Sequence, residues 1–272
     1  MCLARNCAAS LPGFFSFLQK LDNDGFCCSA IVGENGSSDA TRALIQQAAE
    51  AGIALLDTGC MAGAGSRMAR MATGRQALLD AAETSGFDCE FVCVADLDNV
   101  MAVPPPPAAV REAIQTLRTD GTLFAVGATS RPVYYDLLSL RAEGFEFLPG
   151  LAEIVEAKKK PFRYYRFHCD RIYRNQEQVT ASVPLVCASS FNGLCLYNAH
   201  DFRLGSYRAP NEAEVCEHVS FNLSLVRATG KKMLISSDLA LQTPGDHARV
   251  GFFRFWSDRL LRAYRGSGKK PA

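Results

Sequence analysis

The amino-acid sequence predicts an α/β fold built on a largely parallel sheet with helices on both faces. Three observations lead there. Apolar runs of strand length alternate with stretches whose apolar residues recur at helical spacing. The helical stretches carry their own start and stop residues. Polar clusters close the apolar runs: Arg5-Asn6, Glu34-Asn35-Gly36 and Asp96-Leu97-Asp98. In open α/β sheets, ligands bind beyond the carboxyl ends of the strands.

The elements follow in order. "MCLA" is a short first strand, and Phe26 to Val32 is the next. A polar turn then leads into a helix, with Ser37, Ser38 and Asp39 as candidate N-caps and Gly52 as its stop. Ile53 to Asp57 is a short buried strand. The stretch 66–86 reads as a helix stopped by Gly86, and "CEFVCVAD" as the strand after it. Prolines 104–107 precede the first turn of another helix, where a missing N–H costs nothing, and "TLFAVGA" is the following strand. The second half is less regular. Residues 158–175, within a segment spanning 150–180, are basic and aromatic without a clear period and read as a long loop or insertion. "SVPLVCASSFNGLCLYN" reads as strand, glycine turn and strand. A helix carrying Glu214, Glu217 and His218 stops at Gly230, and "KKMLIS" is the last strand.

Composition narrows the function classes. The 272 residues suffice for one large α/β domain or two small ones, and the absence of a repeat or linker makes one domain over 1–272 the simpler reading. A 48% hydrophobic content supports a full core. Lys+Arg is 29 and Asp+Glu is 28, so no global charge selects nucleic acid. No apolar run is long enough to span a bilayer and the N-terminus lacks a signal-peptide pattern, which predicts a cytoplasmic protein. The 11 cysteines are scattered, several within apolar runs (Cys93, Cys187, Cys195), and suit a reducing compartment as small hydrophobes. Without a C-x-x-C pair, they make no case for structural zinc.

Asp96 and Asp98 are the strongest candidates for chemistry. Residues two apart in an extended segment point to one side, so both carboxylates can face one hard cation and its diphosphate. Glu34 and Asn35 follow a strand directly, where a carboxylate and an amide can hold a base or ribose. The turn is neither a Walker nor a Rossmann glycine loop. Arg67, Arg70 and Arg75 share one predicted helix and are read either as a solvated basic face or as phosphate clamps. Glu217 and His218 lie in the first turns of a late helix, where a carboxylate can take a proton from an acceptor hydroxyl. His247 is a lone loop histidine after the last strand, able to complete a metal shell.

Taken together and in order, "ARNCAASLPGFFSFLQKL", "GENGSSDATRALIQ", "SRMARMATGRQALLD", "FVCVADLDNV", "YYDLLSLR", "SSFNGLCLYN" and "CEHVSFNLSL" resemble a family of nucleotide-sugar-dependent glycosyltransferases with the GT-A fold. The likeness is to bacterial and large-virus members with an R-N start, a D-L-D motif and a C-E-H-V helix. It runs from about residue 3 to about residue 247. It implies a mixed, mainly parallel sheet, a nucleoside-diphosphate sugar as donor, and Mn²⁺ or Mg²⁺ as cofactor. It also implies roles at matching positions. Asp96 and Asp98 hold the metal, with Leu97 between them. Arg5, Glu34 and Asn35 line the nucleotide pocket, and Arg67 and Arg75 approach the phosphates. Asp136, Asn192, Gly193 and His218 border the sugar and acceptor, and Glu217 takes the place of the family's acidic residue. Two departures are the short first strand and Gly36, where the family often has an acidic residue.

The expected activity is transfer of a hexosyl group to a hydroxyl on a glycan or glycolipid, inverting if Glu217 is the base. The rivals are a nucleotidyltransferase and a non-catalytic sugar-nucleotide-binding module. The C-terminal segment 249–272 is aromatic and basic. The preferred reading is a terminal helix with its aromatic side packed on the domain. The second reading is a peripheral membrane contact.

Overall fold

The computed structural model describes residues 1–85, 88–97, 101, 103–145, 151–208, 216–245 and 247–266. The elements are β1 (Cys2–Ala4), α1 (Leu11–Asn23), β2 (Ala30–Glu34), α2 (Thr41–Gln47), β3 (Ile53–Asp57), α3 (Arg67–Thr84), β4 (Phe91–Asp96), α4 (Pro107–Thr119) and β5 (Leu123–Arg131). A helical run follows: α5 (Leu151–Lys158), α6 (Pro161–Phe167), a π-helical turn His168–Tyr173, and α7 (Arg174–Ser182). The chain continues through β6 (Leu185–Cys187), β7 (Leu194–Asn198), α8 (Ala199–Phe202), α9 (Glu217–Thr229), β8 (Lys232–Gln242) and α10 (Phe252–Gly266).

The strands form one eight-stranded mixed sheet in the order β3-β2-β1-β4-β7-β5-β8-β6. The β1–β2, β2–β3, β1–β4 and β5–β8 pairs are parallel. β7 is antiparallel to both β4 and β5, and β6 is antiparallel to β8. Side chains alternate across the sheet and so feed two cores. Leu194 and Leu196 of β7 join Phe14, Phe17, Leu21, Val110 and Leu117 from α1 and α4 on one face. Cys195 and Tyr197 join Leu79, Phe202, Phe221 and Leu225 on the other, from α3, α8 and α9. Helices therefore cover both faces, as the alternating pattern predicts.

Local signals explain several boundaries. Ser66 caps α3, its hydroxyl accepting from the Ala69 N–H at 3.1 Å. A Cβ at Gly74 would sit 2.5 Å from Met61 Sδ and 3.1 Å from Leu3 Cδ2, so a larger residue there would make the Met61 and Leu3 side chains move aside. Gly230 ends α9 with φ 70°, a left-handed conformation that glycine adopts without a Cβ penalty.

Four sequence expectations need correction. β2 begins at Ala30, not Phe26. The helix after it starts at Thr41 with Ala40 as N-cap; Asp39 still contributes, accepting from the Thr41 N–H at 3.0 Å. The last strand runs on to Gln242, past the Ser236-Ser237-Asp238 stretch that looks like its end. There the Ser236 hydroxyl accepts from the N–H groups of Asp238 and Leu239, and the β5–β8 register shifts between Gly127 and Thr129, so the strand kinks and continues. The fourth concerns 158–175, which is helical rather than looped. Pro161 splits the run, and its many basic residues dilute the apolar recurrence by which a helix is read; Tyr165, Tyr173, Gln176 and Val179 still fall on one face. At the other end of the chain, α10 packs on α6 as preferred: Phe255 is fully buried, its ring 5.3 Å from Tyr165 and 5.8 Å from Tyr164, and Phe252 stacks on Phe162 at 4.4 Å. Among the described residues no helix is long and apolar enough to cross a membrane. All eleven cysteines are free, and burial pushes the thiols of Cys93 and Cys187 up to about 12.

Candidate active site

Parallel register gathers carboxylates at one edge of the sheet. Ala4 pairs with Glu34, Glu34 with Asp57, and Leu3 with Asp96. β7 enters this edge from the opposite direction. The Gly193 carbonyl, just before its first residue, accepts the Asp96 N–H at 2.9 Å. The Phe191-Asn192-Gly193 turn is thus fastened to the end of β4.

That turn is strained and well held. Asn192 sits at φ 54° and Gly193 at φ 87°. The Asn192 side-chain oxygen accepts from the N–H groups of Tyr135 (3.1 Å) and Asp136 (3.2 Å), while its own N–H faces Asp136 Oδ2 at 3.4 Å. Burial pushes the Asp136 carboxyl above the usual carboxylate range, against the bonds from Ser139 and Asn192. Asn222 of α9 donates to the Ser189 hydroxyl (3.1 Å) and the Ser190 carbonyl (3.0 Å), and accepts from the Tyr197 hydroxyl at 3.0 Å. α9 is therefore locked to the same turn.

Arg75 ties the pieces together. Its side chain is 2% exposed; Nη2 donates to Asp96 Oδ1 at 2.7 Å and Nε to Glu217 Oε1 at 3.2 Å. Its guanidinium also lies 5.2 Å over the Phe191 ring. Burial would favour the neutral form, but Asp96 and Glu217 override it and raise the Arg75 pKa, so the cation persists. The three arginines of α3 thus separate. Arg75 faces inward between two carboxylates, Arg70 is half-buried, and Arg67 is exposed. Asp96 is a third exposed, at 32%.

His218 stacks flat on Phe191, ring centroids 3.5 Å apart, with Nε2 3.6 Å from Glu217 Oε1. Several buried polar atoms around this point have no partner: Arg75 Nη1, Asn192 Nδ2, the Tyr207 hydroxyl and both His218 nitrogens. Each can donate or accept a hydrogen bond, and such groups are rarely left unpaired without a reason. Tyr207 is the residue the sequence reading misses. Its signal is an aromatic in a glycine- and serine-bearing stretch ten residues ahead of Glu217, too common a pattern to single out.

The other candidates lie farther from this nest. The buried Glu34 carboxylate accepts from the Ser37 N–H at 2.5 Å and Arg42 Nε at 2.7 Å. Burial alone would raise its pKa, but these bonds win and lower it. Arg42 also bonds Asp57 at 2.6 Å, so Glu34 serves the turn between β2 and α2. Asn35 donates its N–H to the Ala4 carbonyl, and Arg5 is exposed beside it. The Leu97 side chain is buried in the core, and its carbonyl accepts the Ser10 hydroxyl at the start of α1. His247 is exposed, its ring 5.1 Å from Tyr135, the neighbour of Asp136. Asp98 and Glu214 lie outside the described residues. Among those described, no three His, Cys, Asp or Glu side chains are grouped to hold a metal.

Burial, and secondarily Arg75, push the His218 pKa well below its usual value; burial, Arg259 and Lys158 push His168 down to about 4. Both rings are neutral in the folded chain and take up protons on unfolding below about pH 6.5. The unfolded state then binds more protons, so stability is full above pH 6.5 and falls as the pH drops. Each histidine steepens the fall by up to about 1.4 kcal/mol per pH unit. Urea unfolding at pH 7, 6 and 5 should show this decline, and His218→Phe should flatten it. Equal stability at pH 7 and pH 5 would contradict the assignment.

No protein-family model matches the chain, and no curated protein matches it. Among solved structures it is similar to glucosyl-3-phosphoglycerate synthase from Mycobacterium tuberculosis. The form in complex with Mn²⁺, UDP and glucosyl-3-phosphoglycerate aligns with a TM-score of 0.47 and 14% identity, over 94% of this chain and 73% of that one. The form with Mn²⁺, UDP-glucose and phosphoglyceric acid gives 0.46 and 16% over 93% and 72%. The form with Mn²⁺ and UDP-glucose gives 0.45 and 13% over 100% and 78%.

Proposed function

We propose that this chain is a metal-dependent hexosyltransferase of the GT-A type, moving a sugar from a nucleoside-diphosphate donor to a hydroxyl of a glycan or glycolipid. The observation that carries the reading is Arg75, buried between Asp96 at the end of β4 and Glu217 at the start of α9. It joins the proposed donor-phosphate end of the site to the proposed acceptor end through one side chain.

The donor set suits a hard cation. Asp96 offers carboxylate oxygen at a partly open strand end, the ligand type that Mg²⁺ and Mn²⁺ take. Asp96 and Asp98 would hold the ion, with His247 as a candidate third ligand. Bound there, the ion would neutralise charge on the departing diphosphate.

The remaining chemistry belongs to the chain. Glu217 Oε1 is engaged by Arg75, and Oε2 contacts the Cys216 thiol at 3.8 Å. Oε2 is the atom assigned to accept the proton of the acceptor hydroxyl. As that oxygen bonds to the anomeric carbon, the bond from this carbon to the diphosphate oxygen breaks. Attack from the face opposite the leaving group inverts the anomeric centre. Arg5, Asn35 and Arg67 are left to the nucleotide and its phosphates.

The test is a thermal-shift screen of sugar nucleotides with and without Mn²⁺, followed by product analysis. A ligand at a hundredfold excess over Kd stabilises by about 2.7 kcal/mol. Release of nucleoside diphosphate supports transfer, whereas release of pyrophosphate points to a nucleotidyltransferase. Asp98→Ala should abolish transfer with little change in Tm. Full activity of that variant, together with full activity in EDTA, would remove the metal from the mechanism.

A further inference from the structure

α10 raises a question that its packing does not answer. One side is used: Phe252, Phe255 and Trp256 lie against Phe162, Tyr164 and Tyr165 of α6. The flank next to it is also apolar. Phe253 is 87% exposed, Leu260 68% and Leu261 54%, and the spacing of seven and eight residues puts both leucines on the Phe253 side two turns on. Phe162 of α6 is 75% exposed although it stacks on Phe252, and Phe252 in turn touches Phe253 at 5.7 Å. Phe162, Phe252 and Phe253 thus form one continuous aromatic ridge across the two helices. The apolar stripe of α10 is therefore wider than its contact with α6 covers.

The sequence around this ridge is rich in cations, with Glu156, Asp170 and Asp258 interspersed. From Lys158 to Arg166 there are five basic residues and no acid; α10 holds four arginines and one aspartate. The whole chain, in contrast, has a net charge of only +1. Three of these cations are committed to acids: Lys159 to Glu156, Arg166 to Asp170 and Arg254 to Asp258. Lys160 and Arg163, both exposed and flanking Phe162, have no acidic partner among the described residues.

We propose that the α6–α10 surface docks on an anionic lipid bilayer. Phe162, Phe253, Leu260 and Leu261 enter the headgroup–acyl boundary, and Lys158, Lys160 and Arg163 meet the lipid phosphates. Basic residues near an anionic leaflet each contribute about 1 kcal/mol, and aromatic and leucine side chains add apolar burial. Charge complementarity selects lipid over a second copy of the chain, since two such surfaces would set cations against cations. The docking holds whether or not the catalytic reading does, because none of its residues belongs to the nest around Arg75.

The experiment is co-sedimentation of the full chain with vesicles of phosphatidylcholine alone and with phosphatidylserine added, at low and high salt. Binding should require phosphatidylserine and weaken with salt. Phe253→Ser combined with Leu260→Ser should reduce partitioning at least about tenfold without lowering Tm, because both side chains are exposed. Lys160→Glu with Arg163→Glu should abolish the phosphatidylserine dependence. No binding to phosphatidylserine vesicles at low salt overturns the proposal, as does undiminished binding of the Phe253/Leu260 variant. A dimer by light scattering that this variant dissolves would assign the ridge to self-association and likewise overturn it. Failure of every sugar nucleotide to bind would leave these outcomes untouched.

Discussion

Arg75→Met should destabilise the fold by roughly 3–5 kcal/mol, the range for removing one partner of a buried ion pair. Methionine fills much of the same space but leaves Glu217 buried beside Asp96 with no cation between them. The 2.7 and 3.2 Å bonds are lost together, along with the contact over Phe191. Arg75→Lys should recover only part, because a single ammonium cannot reach both carboxylates with the geometry of a guanidinium fork. Adding Glu217→Gln to Arg75→Met should restore stability, since it removes one of the stranded charges. Urea unfolding of the four proteins measures this. A loss below about 1 kcal/mol for Arg75→Met would mean that the bridge is no more than a surface pair.

Glu217→Gln alone should leave the fold and donor binding nearly intact and lower turnover by about 10²–10⁴-fold, the usual contribution of a general base. The amide oxygen still accepts from Arg75 Nε, so the nest keeps its shape, but the group cannot take a proton from the acceptor. The readout is kcat at saturating donor, with the donor KM as control. A drop in kcat with an unchanged donor KM fits loss of the base. A raised KM with kcat unchanged would assign Glu217 to binding. Unchanged turnover would remove it from the chemistry and pass the role to Glu214.

The first half of the fold is well written in the sequence because each of its boundaries has a local cause. Ile53 to Asp57 is an apolar run between a glycine and a turn, and Ser66 marks α3 by its capping hydroxyl. The helical run from α5 to α7 is hidden because Pro161 interrupts it and its many basic residues dilute the apolar pattern that reveals helices. At the site, Asp96 and Glu217 are visible as carboxylates at element ends, which is local information. The role of Arg75 is not visible. Nothing in its helix distinguishes it from Arg67 or Arg70, and its burial depends on Glu217, 142 residues away. The same holds for His218 on Phe191 and for Tyr207: stacking and orphaned hydroxyls are tertiary facts. Asp98, the most explicit motif residue, lies outside the described residues, so its role rests on sequence.

The position of β7 bears on how the chain is made. The strand lies between β4 and β5, yet it follows β4 by about a hundred residues. Until Asn198 has left the ribosome, one edge of β4 has no neighbour. At about 5–20 residues per second, that interval lasts roughly 5–20 s. An unpaired apolar strand edge is a template for pairing with another chain. Nascent chains stalled between residues 100 and 190 should therefore need a chaperone to stay soluble, and those stalled well past residue 200 should not. The sheet's central splice, late in sequence and antiparallel to both neighbours, makes assembly of this protein a matter of timing.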